Sequence, residues 1–525
     1  MDALQKDVFD FLGDPSTHGV SGVQRCDTHA AVVFLAGDTA FKVKRAVRFP
    51  FLDYSTLTKR KAACLAELEV NRRFAPEIYR KVIPIVRGRD GHFSIGGDGE
   101  VVEWALEMVR FDEKNTLDLL ADRHQFNEQL ASRLAVTIAA LHEASQPVEA
   151  APWIKGVEDY LNQNTTAFRQ HQPLFKVEQI DELDSQSRTT LEKLRPLLVK
   201  RGKLGLVRRG HGDLHLGNIV LLQGQPVAFD AIEFDPVIAS GDVLYDLAFP
   251  LMDLIERDLI SQANLVMNGY LQASRRDDDY EGLAALPFFM SLRAAIRAKV
   301  MAARLANVPE NERPAIARAA ARYFAIALEL LAPSLPPAII AIGGLSGTGK
   351  SVLARMLAPH LVPLPGAIVL RSDVERKSLF GVRETERLPS QAYQADVTAR
   401  VYANLAVKAA RLARARYSVI VDAVFAKPSE RTAIETAVRD ANIAFYGLFL
   451  TASLDARLQR AKDRRLDASD ADAAVVLQQE SYDVGQMTWS VIDASGSPTQ
   501  TFDAARARLN ETEPPVSKPE RHQAP

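Results

Sequence analysis

The sequence predicts two domains of different fold class. The first is an α+β domain with a small β-rich lobe and a larger helical lobe, and the second is an α/β domain with a parallel sheet. A chain of 525 residues is too long for one compact core. Three prolines within five positions of the segment 331–337 favour an extended linker. We therefore expect domains at 1–330 and 338–510, and the polar, proline-rich residues 511–525 are expected to form a disordered tail.

Within the first domain, segments with strand-like sequence patterns precede segments with helical patterns. Residues 29–45 read as a hairpin, 55–74 as a helix, and the stretches around 82–86 and 101–108 as strands. After residue 115 the pattern is mostly helical, apart from a strand-loop-strand near 207–234. A small β-rich lobe followed by a larger helical lobe is the layout of a kinase-like fold. The second domain opens with the apolar run 338–342 followed by glycines, which is typical of a buried strand entering a loop.

The composition limits the cellular compartments and the classes of binding partner that we expect for this protein. The 64 basic and 66 acidic residues give a net charge of -2, so there is no electrostatic reason to expect a nucleic-acid or membrane partner. The two cysteines, Cys26 and Cys64, cannot form a disulfide framework. The N-terminus lacks the pattern of a secretory signal, and no stretch approaches the ~18 apolar residues that cross a bilayer. We expect a cytoplasmic protein, and its oligomeric state stays open.

The most specific motif opens the second domain. The text GLSGTGKS fits G-x-x-x-x-G-K-[ST] at every fixed position, and such glycines let backbone N–H groups point at phosphate oxygens. A plain glycine-rich turn is the alternative, but the motif stands between an apolar strand and an amphipathic helix. Lys350 is expected to reach the β- and γ-phosphates of ATP, and Ser351 to bind Mg²⁺. The expected nucleotide-binding residues are Gly344, Ser346, Gly347, Thr348, Gly349, Lys350 and Ser351.

Charged residues follow two further predicted strands of this domain. Residues just past the carboxyl ends of parallel strands line the ligand crevice. Asp373 is therefore placed to deprotonate an acceptor hydroxyl, and Arg376 to hold an anionic substrate group. Asp422 stands where a carboxylate can hold Mg²⁺ through water. Spacing alone leaves open that Asp373 is only the N-cap of the next helix and that Asp422 is only a loop carboxylate.

Four arginines near the end of this domain are candidates for a lid over the triphosphate. Arg457, Arg460, Arg464 and Arg465 fall along a helix-to-loop stretch. An arginine here would stabilise the transferring charge. A solvated basic face is the alternative for any single one of them. We assign the lid role to Arg464.

These texts together resemble a known group of enzymes. GLSGTGKS, LRSDVERKSLFG, VIVDAVF and RLQRAKDRRLDASDADAAVV look like the P-loop kinases that include phage polynucleotide kinase and the zeta toxins. In phage polynucleotide kinase a D-x-x-R step supplies the general base and an arginine for the substrate phosphate, and Asp373 and Arg376 match that step. The resemblance covers residues 338–508. It implies phosphoryl transfer to a hydroxyl and leaves the acceptor open.

The strongest motif of the first domain is HGDLHLGN at 211–218. A kinase catalytic loop needs an Asp that accepts the proton of the acceptor and an Asn five residues later that binds Mg²⁺. Asp213 and Asn218 have this spacing, and Asp230 supplies a metal-binding carboxylate at the end of a strand. An isolated H-G-D would be weak evidence. His211 and His215 are four apart, but the glycines between and after them indicate a loop, so we interpret both as packing residues.

A lysine–glutamate pair is expected upstream. The strand at 40–44 carries two lysines on one face, and one should pair with a glutamate of the next helix and contact the α- and β-phosphates. We choose Lys44 with Glu67, and Lys42 and Glu69 are the alternatives. No G-x-G-x-x-G precedes this strand.

The first domain also resembles a known superfamily. HGDLHLGNIV, FDAIEFD and DVLYDLAF look like the aminoglycoside phosphotransferases and choline kinases. This resemblance implies that Asp213 is the catalytic base, that Asn218 and Asp230 bind metal, and that Asp246 is structural. Ala and Ile after Asp230 argue against a protein kinase with a mobile activation segment. The order of both domains resembles bacterial bifunctional aminoglycoside phosphotransferase/ATP-binding proteins.

Three functions remain after this reading. The expected one is an ATP-dependent phosphotransferase with two nucleotide sites, acting on a hydroxyl of an unidentified small molecule. The second is a P-loop ATPase switch that regulates a weakly active or inactive kinase-like domain. The third is a nucleic-acid 5′-end kinase, against which the near-neutral charge and the absence of aromatic–basic interleaving argue.

Overall fold

The structure is a computed structural model that describes residues 3–49, 52–333, 335–384, 386–439, 443–463 and 468–511. The chain divides into two compact units. The first unit comprises Met1–Arg275 with Phe288–Leu331, and the second comprises Arg276–Pro287 with Ala332–Pro525. The predicted tail beyond residue 511 lies outside the described residues.

The elements are numbered in chain order. The strands are β1 (Val23–Asp27), β2 (Ala31–Ala36), β3 (Thr39–Lys44), β4 (Arg48–Phe49), β5 (Leu52–Asp53), β6 (Tyr79–Arg87), β7 (Phe93–Ile95), β8 (Glu100–Val109), β9 (Val207–Arg209), β10 (Ile219–Leu222), β11 (Gln225–Ala228), β12 (Ser240–Asp242), β13 (Ala338–Gly344), β14 (Ile368–Arg371), β15 (Val419–Asp422), β16 (Ala444–Thr451) and β17 (Ser490–Asp493). The helices are α1 (Ala3–Gly13), α2 (Pro15–His18), α3 (Leu57–Asn71), α4 (Leu117–Asp122), α5 (Glu128–Ala144), α6 (Ala150–Gln170), α7 (Val177–Lys203), α8 (Val243–Glu256), α9 (Ile260–Ser274), α10 (Asp278–Gly282), α11 (Leu286–Arg304), α12 (Arg313–Leu331), α13 (Lys350–Leu357), α14 (Ser372–Leu379), α15 (Ala395–Arg414), α16 (Pro428–Arg439), α17 (Leu454–Asp463), α18 (Ala473–Gln479) and α19 (Pro498–Glu511).

The first unit begins with an antiparallel sheet in the order β1-β2-β3-β8-β6-β7. Its predicted hairpin is confirmed, because β2 pairs with β3 around a turn in which Gly37 has φ +56°. Helix α3 packs against β6 and β8, which places its side chains next to β3. A larger set of helices follows, and α8 is almost wholly buried among them. The predicted α+β class, with a small β-rich lobe and a larger helical lobe, is confirmed.

The second unit is built on a five-stranded sheet in the order β14-β15-β13-β16-β17. Every pairing in it is parallel. The central strand β13 is apolar on both faces, because Ile339 and Ile340 lie on opposite faces and each is at most 1% exposed. Such a strand is typical of a sheet covered by helices on both sides. The predicted α/β class with a parallel sheet is confirmed, and the carboxyl ends of β13, β14 and β15 meet at one edge.

Candidate active sites

The glycine-rich loop after β13 has a backbone shape that side chains would prevent. Gly344, Gly347 and Gly349 have φ angles of +140°, +85° and +95°. A Cβ atom on Gly347 would lie 2.6 Å from the carbonyl oxygen of Arg457. Glycine is therefore needed at this position both for the φ angle and for the close approach of the backbone.

Side chains of α17 and α18 form hydrogen bonds to the backbone of this loop. The Nε atom of Arg457 donates to the carbonyl of Ser346 at 2.9 Å, and the Ser346 N–H donates to Gln479 Oε1 at 2.6 Å. Arg457 is 3% exposed and also pairs with Glu480. The interpretation of Arg457 as a lid arginine is therefore wrong, because its guanidinium is buried under the loop.

Of the other three arginine candidates, Arg460 alone lies among the described residues. Arg460 donates through Nη2 to the carbonyls of Ala494 at 2.8 Å and Gly496 at 2.9 Å, and it lies on the cavity wall. These bonds fix Arg460 beside the glycine-rich loop. Arg464, the assigned lid residue, and Arg465 lie outside the described residues.

Two oxygen atoms at the edge of the sheet are of the kind that Mg²⁺ prefers. Ser351 Oγ and Asp422 Oδ2 lie 2.5 Å apart, and Asp422 is 4% exposed. Kinases commonly hold Mg²⁺ by one or two protein oxygens, with nucleotide phosphates and water as the other ligands. In the described parts of the chain there is no cluster of three or more His, Cys, Asp or Glu that could hold a metal alone. The pair therefore fits a metal ion that arrives with phosphate.

Asp373 and Arg376 lie at the same edge, on α14. The N-cap of α14 is Arg371, so the alternative that Asp373 is only an N-cap is wrong. Burial raises the pKa of Asp373, and the nearby Asp422 raises it further. Arg376 donates through Nη1 to the carbonyl of Ala392 at 2.6 Å and lies over the Tyr393 ring at 5.0 Å. A half-buried carboxylate and an oriented guanidinium thus stand one helical turn apart.

A single cavity of about 1380 Å³ joins these groups. This volume exceeds the roughly 300–1,000 Å³ of ordinary ligand pockets, so the cavity has room for a nucleoside triphosphate and a second small molecule. The lining includes the predicted residues Gly347, Lys350, Ser351, Asp373, Arg376 and Asp422. In this unit the structure therefore brings the predicted phosphate, metal and acceptor groups together.

In the first unit the loop 211–218 carries Asp213 and Asn218 side by side. Asn218 Nδ2 donates to the Asp213 carbonyl at 3.0 Å and to its carboxylate Oδ2 at 3.2 Å. The backbone of Asn218 accepts a hydrogen bond from Phe229, the residue before Asp230. Asp230 has φ +61°, an unusual angle for a residue other than glycine, and such angles often mark functional positions. The three predicted residues therefore meet in one place.

Both candidate lysines reach the same glutamate. Lys42 Nζ lies 2.7 Å from Glu67 Oε1, and Lys44 Nζ lies 2.6 Å from Glu67 Oε2. The predicted pairing of Lys44 with Glu67 is present, but only Lys42 also contacts Asp230, at 2.6 Å. Glu69 instead pairs with Arg73 on the surface, so the Glu69 alternative is wrong. Lys42 is therefore a better candidate than Lys44 for contacting a nucleotide phosphate.

The charges of this cluster are tightly linked. Lys42 lowers the pKa of Asp230 to about 2. Burial opposes the charge of Lys42, yet Asp230 and Glu67 hold the pKa of its ammonium well above its usual value. Asp230 keeps 48% of its side chain exposed, so its second oxygen is open to a metal ion. The side-chain oxygens of Asn218 and Asp230 are thus both candidates for binding Mg²⁺ in this unit.

The two histidines of the loop differ in environment. His211 is 1% exposed, and its Nε2 is bonded to the carbonyl of Phe229, as expected of a packing residue. Burial lowers its pKa. His215 packs edge-on against Phe249, but its Nε2 also lies 3.6 Å from Asp213 Oδ2. His211 is therefore a packing residue, as predicted. His215 packs as predicted but also lies next to the Asp213 carboxylate.

Three residues of these sites were not predicted from the sequence. Glu233 contacts Lys44 at 2.6 Å, and Arg371 contacts Ser351 Oγ at 3.1 Å. Gln479 holds the glycine-rich loop. A signal existed for the first two, because Glu233 follows Asp230 by three residues and Arg371 ends a strand at the ligand edge. Nothing in the local text around Gln479 indicates its contact, which joins positions 133 residues apart.

Comparison with known families supports the assignment of both domains. Residues 33–286 match the model of the phosphotransferase enzyme family, and residues 339–482 match the model of an AAA domain. The chain thus joins a phosphotransferase-family domain to a P-loop domain, as the motifs predicted. Both matches confirm the predicted enzyme class, an ATP-dependent kinase or phosphotransferase.

Relatives and solved structures are similar to different shares of this chain. Uncharacterized proteins of Mycobacterium bovis and Mycobacterium tuberculosis are 28% identical over 482 residues, which covers 90% of this chain and 92% of each relative. A choline/ethanolamine kinase family protein from Mesorhizobium loti is 14% identical, with a TM-score of 0.36, and covers 62% of this chain and 99% of its own. A gluconokinase from Sinorhizobium meliloti is 18% identical, with a TM-score of 0.25, and covers 34% and 97%. Among the described residues, no helix has both the length and the apolar character that a bilayer crossing requires.

Proposed function

We propose that the protein transfers the γ-phosphoryl group of ATP, as its Mg²⁺ complex, to a small-molecule hydroxyl, and that each unit holds one such site. The observation that carries the proposal is the single cavity of the second unit, which the predicted site residues of that unit line together. It combines a phosphate-binding loop, an oxygen pair suited to Mg²⁺ and a carboxylate with a raised pKa. These are the parts that phosphoryl transfer requires.

In the second unit the roles follow from position. The loop N–H groups and Lys350 would hold the phosphates, and Ser351 and Asp422 would hold the metal. Bound Mg²⁺ would neutralise charge on the phosphates. Asp373 would take the proton of the acceptor hydroxyl, since its raised pKa makes it a better base than an ordinary carboxylate. Arg376 would orient an acceptor that carries an anionic group next to its hydroxyl.

In the first unit the same chemistry would use another set of residues. Asp213 would accept the proton of the acceptor, and the amide of Asn218 already bonds to it. Asn218 and Asp230 would hold Mg²⁺. Lys42, fixed between Glu67 and Asp230, would contact the nucleotide phosphates, and Lys44 would support Glu67. Nothing in this set depends on a glycine-rich loop between β1 and β2.

The test is ATP turnover by the full chain, with and without a pooled metabolite extract. Wild type is compared with Lys350→Ala and Asp213→Ala, and ADP release is followed. We expect release that the extract stimulates and that one or both variants lose, which also assigns the active unit. Slow release that ignores the extract and is lost only in Lys350→Ala would overturn the proposal and favour a P-loop ATPase switch.

A further inference from the structure

Arg371 occupies an unusual position at the edge of the second sheet. It is the last residue of β14 and pairs in register with Asp422 of β15. Its Nη2 donates to Ser351 Oγ at 3.1 Å, and its Nε lies 3.4 Å from Asp422 Oδ2. The guanidinium therefore contacts both oxygens that the proposed function assigns to Mg²⁺.

Arg371 provides a positive charge next to the buried carboxylate of Asp422. Its side chain is only 5% exposed, so its ionised carboxylate needs a counter-charge to remain stable out of water. Arg371 supplies one from within the chain and is always protonated. Its own side chain is 23% exposed, which leaves it a path towards solvent.

A guanidinium and a magnesium ion compete for the same oxygens. Mg²⁺ needs ligands at about 2.0–2.1 Å in an octahedral arrangement and gives up water reluctantly. A cation already within 3.4 Å of the carboxylate both blocks that arrangement and repels a second positive charge. Binding of the metal to the free protein therefore requires displacement of Arg371.

We propose that Arg371 is an exchangeable counter-ion of the magnesium site. It holds Ser351 and Asp422 in the absence of nucleotide and keeps free Mg²⁺ out. The metal then enters together with the triphosphate, whose negative charge supports the displacement of the guanidinium. This proposal rests on the proposed function of the second unit and concerns the order in which its ligands bind.

The test measures metal binding in the absence of nucleotide, with Mn²⁺ as the probe and its electron paramagnetic resonance signal as the readout. The variants are Arg371→Met, which is uncharged, and Arg371→Gln, which keeps a donor for Ser351. We expect both to bind Mn²⁺ at least about tenfold more tightly than wild type, because the competing charge is gone. Arg371→Lys, which keeps a charge, is expected to stay close to wild type. The matched control is Arg414→Met, which removes the same charge from an exposed position on α15.

A double variant locates the metal. Arg371→Met with Asp422→Asn should lose the tight Mn²⁺ site, because its carboxylate is gone. Equal or weaker Mn²⁺ binding by both Arg371→Met and Arg371→Gln would overturn the proposal. If Arg371→Met does not fold, Arg371→Gln decides alone. ATP binding that Lys350→Ala leaves unchanged would instead defeat the proposed function, and that result is independent of the Mn²⁺ measurement.

Discussion

At the scale of the residue, Asp246 of α8 fixes the loop 211–218. Its two carboxylate oxygens accept the N–H groups of His211 at 3.0 Å and Gly212 at 3.2 Å. Arg293 approaches Asp246 at 3.6 Å and donates to the carbonyl of Gly212 at 2.9 Å. Two turns further along α8, Asp253 accepts the N–H of Leu216 at 3.0 Å. The loop is therefore held at both ends by carboxylates of one buried helix.

Replacement of Asp246 tests this support through its pH dependence. Burial opposes the charge of Asp246, but His142 and Arg293 outweigh it and lower the pKa to about 2. The ionised group therefore stabilises the fold fully above about pH 4, and this stabilisation is lost as the pH falls through about 2. Asp246→Asn should reduce the free energy of unfolding by about 3 kcal/mol at neutral pH, since it leaves buried partners unpaired. In urea unfolding the difference from wild type should shrink below pH 4, and the exposed control Asp258→Asn should show no such trend.

The two lysines of β3 give a second residue-scale prediction. Lys42→Met should lower the Asp213-dependent turnover about 100-fold, because Lys42 lies next to Asp230. Lys44→Met should lower it far less, but it should destabilise the fold by about 3 kcal/mol because Glu67 and Glu233 lose a buried partner. Steady-state kinetics and urea unfolding separate the two effects. The reverse pattern would return the nucleotide role to Lys44.

The sequence could not decide between these lysines. Residues 42 and 44 lie on one face of a strand, and either can reach the next helix. The choice depends on Asp230, which lies 188 positions away in the chain, and no local pattern reports such a distance. The site residues with fixed motif spacing were predictable for the opposite reason, since 213 with 218 and 344 with 351 form their geometry within one loop.

At the scale of the element, the glycine-rich loop after β13 packs tightly against α17, through the contact of Gly347 with the backbone of Arg457. The strand–loop–helix unit was predictable, because an apolar run and a fixed motif specify it locally. The sheet order β14-β15-β13-β16-β17 was not predicted, since parallel neighbours are joined by long connections. Strand β17 has three exposed residues out of four, and this weak apolar pattern hides it from sequence reading.

A pair of glycine variants tests the packing of the loop. Gly347→Ala should lower the nucleotide affinity of the second unit at least about tenfold, because its Cβ would strike the Arg457 carbonyl. Gly381 also has a positive φ, +68°, but a Cβ there meets no atom within 4 Å. Gly381→Ala is therefore a control for backbone strain alone. Isothermal titration with ATP measures both, and equal losses in the two variants would contradict the packing explanation.

Asp470 offers a test on the segment between α14 and α15. Its carboxylate accepts hydrogen bonds from Lys377 Nζ at 3.1 Å, the Leu388 N–H at 3.1 Å and the Tyr393 hydroxyl at 2.7 Å. Asp470→Asn weakens all three bonds, so amides at 386–393 should exchange with solvent about tenfold faster. Hydrogen exchange measures this change. The exposed control Asp396→Asn should leave these amides as in wild type.

At the scale of the whole molecule, the second unit is drawn from two separate stretches of chain. Residues 276–287 belong to it, although helices of the first unit flank them in sequence. Within the unit, Lys408 of α15 lies 2.7 Å from Glu375 of α14 and 3.4 Å from Asp277. Arg411, one turn along α15, lies 3.4 Å from Glu281. The acidic run at 277–281 is thus engaged with α15 and is not a freely solvated loop.

Removal of Lys408 should loosen this part of the unit. Lys408→Met removes the cation that pairs with Glu375 and Asp277 and leaves Glu375 only the amide of Asn404 among the described side chains, so amides of α15 should exchange about tenfold faster in the full chain. The exposed control Lys462→Met should leave the exchange of α15 unchanged. Equal protection of α15 in wild type and Lys408→Met would show that the acidic segment contributes nothing measurable to the unit.

The split origin of the second unit has a consequence for the inheritance of this gene. Recombination at the proline-rich linker would pass on the P-loop half without residues 276–287, and so without the carboxylates that meet Lys408 and Arg411. A lineage that acquired only that half would have to replace those charges by new mutations. Descendants are therefore expected to keep both halves in one reading frame, which holds the two domains in a fixed one-to-one ratio.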